Sequence, residues 1–285
     1  MIRGRVGIVT DSATALPASV QSKFGVTVIP LHLSIDDEVF SEGVNISPPK
    51  VVSALLDKKV VKIFEPPAAE FARAYRDLAQ AGVQHIVSIH VSSKMQKVVA
   101  HATEAAAQSP VPVTVIDSGS VSMGTGFAVM AAAARAAEDE SPERVAEAAR
   151  TTATSSRVMM TVETMEYVHR DGQVPGAVRA FADTMHVRPL LTIKDGVIAR
   201  AGGARNTTPA RNEVRRQIED YISTLPNPAV SVALAGGSAV EAGLGVTTAG
   251  LMIEASPGAS LTAHTGPGTY VVCAANLPAD FPRAD

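Results

Sequence analysis

Val6-Gly7-Ile8-Val9-Thr10-Asp11-Ser12 is an apolar, β-branched run that breaks abruptly on polar residues suited to a turn. A short run of this kind reads as a buried strand, and the polar break places a turn at its carboxyl end. That edge is where open α/β sheets bind their ligands. The same pattern recurs at residues 26–31, 85–91 and 113–116, with helix-forming, Ala-rich stretches at 68–81 and 94–108. Ser47-Pro48 and Ser141-Pro142 read as a helix cap followed by proline in the first turn. The alternation predicts a largely parallel sheet flanked by helices.

The rhythm changes after residue 153. Residues 157–162 and 188–193 read as strands, Lys194-Asp195-Gly196 as a tight turn, and 197–201 as the returning strand. A helix at 210–225, a break at Pro226-Asn227-Pro228, and strands at 229–235 and 269–274 follow. This predicts an α/β chain of two domains, a largely parallel one over 1–155 and an α+β one over 156–285. With no low-complexity linker between them, the halves are expected to pack directly on each other.

The chain has 285 residues, 46% of them apolar, but only 4% aromatic and no Trp. Its interior must therefore be built from Ala, Val, Leu, Ile and Met, and any pocket will be aliphatic and adaptable. The single cysteine, Cys273, excludes an internal disulfide or a multi-cysteine metal site and reads as a core filler. The apolar start is too short for a signal peptide and no run is long enough to span a bilayer, so a cytoplasmic protein without stable membrane insertion is expected. A net charge of −3 gives no field for nucleic acid. Arg211, Arg215 and Arg216 read as a solvated helix face.

Chemistry-bearing segments have competing readings. Asp11, between Thr10 and Ser12, suits a nucleophile, a metal ligand or a helix cap. Asp117-Ser118 follows another strand and invites the same choice. Ser92-Ser93 ends a strand before a helix, where hydroxyls and free N–H groups can hold an anion or simply cap. Neither serine has the glycine-flanked surroundings of a hydrolase nucleophile. His264-Thr265-Gly266-Pro267-Gly268 reads as a loop whose backbone approaches a ligand closely, with His264 as donor. The glycines at 236–237 and 243–245 lack the lysine of a phosphate loop and the spacing of a dinucleotide fold.

Taken in order, these segments resemble the DegV family along nearly the whole chain: Thr10-Asp11-Ser12, Ile29-Pro30-Leu31, Pro66, Ser92-Ser93, and Ile116-Asp117-Ser118 running into Val121-Ser122-Met123-Gly124. Glu166-Tyr167, Arg188-Pro189-Leu190 with Asp195-Gly196, Arg205 and the His264 segment continue the series. The resemblance implies a non-catalytic carrier that encloses a fatty acid, uses no cofactor, and presents the carboxyl group to a separate fatty-acid kinase for acyl-phosphate formation. The candidate lipid contacts are then Ser92, Ser93 and His264, joined by Gln96 where the family has a serine, with a candidate head-group neighbourhood at Thr10, Asp11, Ser12, Asp117 and Ser118 and a candidate partner-facing Arg205. Met123, Met130, Met159, Met160 and Met165 can mould to a tail or fill the core.

The chain departs from the family pattern where the head group is held. Ile63 and Phe64 replace a threonine-serine pair, Glu65 a glutamine, Gln96 a serine, Lys97 a glycine, and Gln173 an arginine. These changes predict either a fatty acid held by Gln96, Ser93 and His264 or a less acidic lipid. Two alternatives stand beside the carrier: an enzyme using Asp11 and His264 as acid and base across the cleft, and a regulator whose interior is filled by Ile63 and Phe64.

Overall fold

The computed structural model describes residues 5–170, 187–248 and 250–282. Strand β1 (Val6–Asp11) is buried along its whole length, so it needs cover on both faces. Helix α1 (Ala18–Phe24) leads to β2 (Thr27–Ile29), which pairs parallel to β1. A small antiparallel sheet then forms from β3 (His32–Ile35), β4 (Glu38–Ser41) and β5 (Val61–Phe64), with α2 (Pro48–Leu56) inserted before β5. This sheet was not anticipated from the sequence; its strands are short and mix polar with apolar residues.

Helix α3 (Ala68–Gln80), β6 (His85–His90), α4 (Val98–Ala106) and β7 (Val113–Asp117) complete the first unit. Its main sheet is four-stranded and parallel in the order β2-β1-β6-β7. Helix α4 starts later than expected because residues 92–96 make a tight turn, in which the N–H groups of Met95 and Gln96 both donate to the Ser92 carbonyl.

Next come α5 (Met123–Ala137) and α6 (Pro142–Thr154), the latter capped by Ser141 accepting from the Arg144 N–H. The remaining elements are β8 (Arg157–Thr161), α7 (Glu166–Arg170), β9 (Val187–Lys194), β10 (Val197–Arg205), α8 (Thr207–Ile222), β11 (Pro228–Leu234), β12 (Leu251–Glu254), α9 (Ala259–Thr265) and β13 (Tyr270–Asn276). They build a six-stranded sheet in the order β10-β9-β8-β13-β11-β12, antiparallel except where β11 meets β12. Asp195 (φ 51°) and Gly196 (φ 79°) both take the left-handed conformation that a two-residue hairpin turn demands.

The element joining the two sheets is α5. Its sequence, MGTGFAVMAAAARAA, is apolar almost all round up to Arg135 in its last turn, and a helix of that kind must be largely enclosed. It packs on β1 and β6 on one side and on β13 on the other. One continuous core therefore contains Ile8 and Val87 from the parallel sheet with Val158 and Val271 from the antiparallel one. Met123, Met130, Met160 and Met165 belong to this core, and Met159 to the cluster under α8. Cys273 lies in it too, and burial pushes its thiol up to about 12. The arginines of α8 are tied to the protein itself: Arg211 to the Gly268 carbonyl, Arg215 to the Gly243 carbonyl, and Arg216 to Glu213 and Asp220. No helix among the described residues is long and apolar enough to cross a membrane.

Candidate functional site

A narrow, open-mouthed cavity with about 40 Å³ of free internal space runs between the parallel and the six-stranded sheets. Aliphatic side chains make most of its wall: Val91 just after β6, Val121, Met160 of β8, Val168 of α7, Ile198 of β10 and Leu261 of α9. Among the described residues the polar lining is Gln96, Ser122, Ser260, His264 and Thr265. Of the lipid-contact residues expected from sequence, the fold brings Gln96 and His264 to this one cavity.

His264 does not sit in a loop. It occupies the last turn of α9, and the glycines after it end that helix instead of surrounding the histidine. Gly266 has φ +84°, and a Cβ there would fall 2.2 Å from the Tyr167 ring. Only glycine allows both the backbone turn and the close approach of α7.

The first turn of α9 is held by a residue that the sequence reading did not single out. Glu42, only 6% exposed, accepts from the Ser260 N–H (2.8 Å) and the Ser260 hydroxyl (3.1 Å). Its other oxygen accepts from the Ser12 hydroxyl at 2.6 Å, which in turn accepts from the Leu31 N–H at 2.9 Å. A carboxylate at a helix N-terminus satisfies N–H groups that the helix leaves open. Glu42 and Ser260 lie far apart in the chain, so no local motif marks the pair.

Asp11 is wholly buried and does cap, accepting from the Ala13 N–H at 3.1 Å. Its second oxygen lies 2.9 Å from His90 Nδ1 and 3.3 Å from the Val91 nitrogen. His90 Nε2 then meets Ser88 Oγ at 2.7 Å, and Ser88 Oγ meets the Tyr75 hydroxyl at 2.8 Å. One direction of donation, from Tyr75 through Ser88 and His90 to Asp11, satisfies every member. Burial pushes the Tyr75 phenol up to about 12. The acid–base pairing of Asp11 with His264 is therefore corrected: the carboxylate is enclosed, and its histidine partner is His90. Thr10, also buried, ties β1 to β6 by donating to the Ile89 carbonyl.

Three more of the expected residues, Ser92, Asp117 and Ser118, lie at a separate polar cleft with the Asp195-Gly196 turn. The Ser92 hydroxyl donates to the Gly196 carbonyl at 2.7 Å, and Ser93 donates to Asp117. Asp117 also accepts from the Gly119 N–H, and Ser118 bonds Thr125. Among the described residues no group of histidine, cysteine or acidic side chains could hold a metal ion.

Comparison with known proteins decides the family, because the model described as "Uncharacterised protein, DegV family" matches residues 5–276. The chain belongs to the DegV family. It is similar to the DegV domain-containing protein SCO2569 of Streptomyces coelicolor, at 32% identity over 268 residues, which are 92% of this chain and 95% of that protein. Its fold matches a DegV family protein from Thermus thermophilus described for fatty acid binding, with a TM-score of 0.88 and 28% identity over 96% of this chain and all of that one. DegV of Bacillus subtilis, described as a fatty acid binding protein, shares the fold at a TM-score of 0.84 and 19% identity, covering 95% of this chain and 99% of its own.

Within this DegV chain the departures from the family pattern fall in distinct places. Phe64 is 45% exposed, and Ile63 packs beside the cluster formed by α2, β5 and α9. Neither lines the cavity, so the space is not filled by these two replacements. Glu65 accepts from the Lys97 N–H at 3.4 Å, at the start of α4. Arg205 is exposed at the end of β10. Gln173 lies outside the described residues.

Proposed function

We propose that this chain is a non-catalytic carrier that binds one single-tailed lipid, a long-chain fatty acid or a related molecule. The tail occupies the cavity and the head group lies at Gln96 and His264. The observation that carries this reading is an aliphatic cavity whose few polar residues include both of these side chains. Each buried methylene contributes about 0.8 kcal/mol, so a long tail gains on the order of 10 kcal/mol before ordering costs. The Thermus relative's described fatty acid binding supports the same ligand class.

Ser92 and Ser93 enter this reading as supports, since their bonds to Gly196 and Asp117 hold the turn that carries Gln96. In its finer form the carrier acts in the cytoplasm and presents the head group to a separate fatty-acid kinase, with Arg205 facing that partner. Asp11, Asp117 and Ser118 then shape the surrounding backbone without touching lipid. The reading also divides the chain into two units meeting near residue 155, between α6 and β8.

Native mass spectrometry of the purified protein, followed by solvent extraction, tests the carrier. A mass excess that resolves into one lipid class is expected. A clean apo mass that persists after fatty acids and neutral lipids are offered would overturn it.

A further inference from the structure

The polar side chains that line the cavity offer acceptors. The Ser260 hydroxyl donates to Glu42, leaving that oxygen only lone pairs for a ligand. The Thr265 hydroxyl donates to the Leu261 carbonyl at 2.7 Å, with the same result. Gln96 Oε1 is buried and accepts no hydrogen bond from the described residues. Ser122 lies against the Cys273 sulfur.

The charge around these groups points the same way. No lysine or arginine is among the described lining residues, and of those residues His264 alone can carry positive charge. One hydrogen bond behind Ser260 stands the buried Glu42 carboxylate. A carboxylate head group beside Gln96 would face a lone pair, and one beside Ser260 would also have the Glu42 carboxylate behind it, in each case after losing its hydration. An uncharged O–H or N–H would instead donate into Gln96 Oε1.

We propose that the head group bound here is an uncharged hydrogen-bond donor, of the aliphatic alcohol, polyol monoester or primary amide class, in preference to a carboxylate. This rests on the carrier reading and narrows its ligand. The competing arrangement has the Gln96 amide turned over, so that its NH₂ group and His264 together grip a carboxylate.

Ligands with the same tail separate the two. Oleate, oleyl alcohol, oleamide and 1-monoolein are titrated into delipidated full-length protein at about pH 8, where the free acid is ionised. The expected result is at least about tenfold tighter binding of the alcohol and the amide than of oleate. Oleate binding as tightly as its neutral counterparts, or more tightly, overturns the neutral head group while leaving the carrier intact. Failure of all four to bind removes the carrier reading and this inference with it. In Gln96→Leu the advantage of the neutral ligands is expected to fall to within about threefold of oleate, by their loss and not by oleate's gain. An equal loss for all four ligands would show that Gln96 does not select the head group.

Discussion

Asp11 Oδ2 and His90 Nδ1 lie 2.9 Å apart with neither side chain exposed, and this bond joins the end of β1 to the end of β6. Removing one partner leaves the other enclosed without its hydrogen bond. His90→Ala is expected to lower unfolding stability by about 3–5 kcal/mol in urea titration. A loss below about 1 kcal/mol would mean that the surroundings re-satisfy Asp11 without the imidazole.

Gly266 and Tyr167 form a steric pair. Gly266→Ala puts a Cβ against the ring and an L-residue at φ +84°, for an expected destabilisation of about 1–3 kcal/mol by thermal unfolding. Combining it with Tyr167→Ala should restore the part due to the clash and leave the backbone part, so the two substitutions are non-additive. Lipid affinity should fall in Gly266→Ala, because His264 lies on the helix that the ring would push.

Ile198 lines the cavity and is 8% exposed. Ile198→Trp should block the tail and weaken lipid uptake by more than about tenfold, measured by native mass spectrometry after incubation with lipid. Retention of full uptake would place the tail elsewhere.

Alkaline pH tests the core. The Cys273 thiol is raised from 9.0 to about 12 and the Tyr75 phenol from 10.0 to about 12, both chiefly by burial. The folded state therefore holds these protons more tightly than the unfolded chain. The stability this contributes is complete below the unfolded values and is lost as pH rises through the interval from 9.0 to about 12. Urea midpoints should decline across that interval, and less steeply in Cys273→Ala. The native thiol should also resist alkylation at neutral pH and react once the protein is unfolded.

The strands of the parallel sheet were legible because β-branched runs such as Val6–Asp11 have a single structural use. The hairpin at Asp195-Gly196 was legible because its turn requires those residue types. The β3–β5 sheet was not, since strands such as Glu38–Ser41 mix exposed and buried residues over too few positions to show a period. Among site residues, Gln96 stood out as a departure from a family pattern and His264 by its glycine neighbours. The glycines misdirected the local structure, because a helix end and a ligand loop call for the same residues. Glu42 and His90 were missed for a common reason: each acquires its role from a partner distant in sequence, Ser260 or Asp11, and nothing beside them in the chain announces it.

Helix α5 carries a last consequence. Because it packs on strands of both sheets, cutting the chain between α6 and β8 would give fragments that each expose half of a shared interior. Such fragments should be insoluble apart and regain structure only when produced together. The same arrangement restricts how the sequence can drift: a bulkier residue at Ala132, which has no exposed surface, must be answered by a smaller one in a neighbouring element. The two halves, unlike in topology, are bound to change as one.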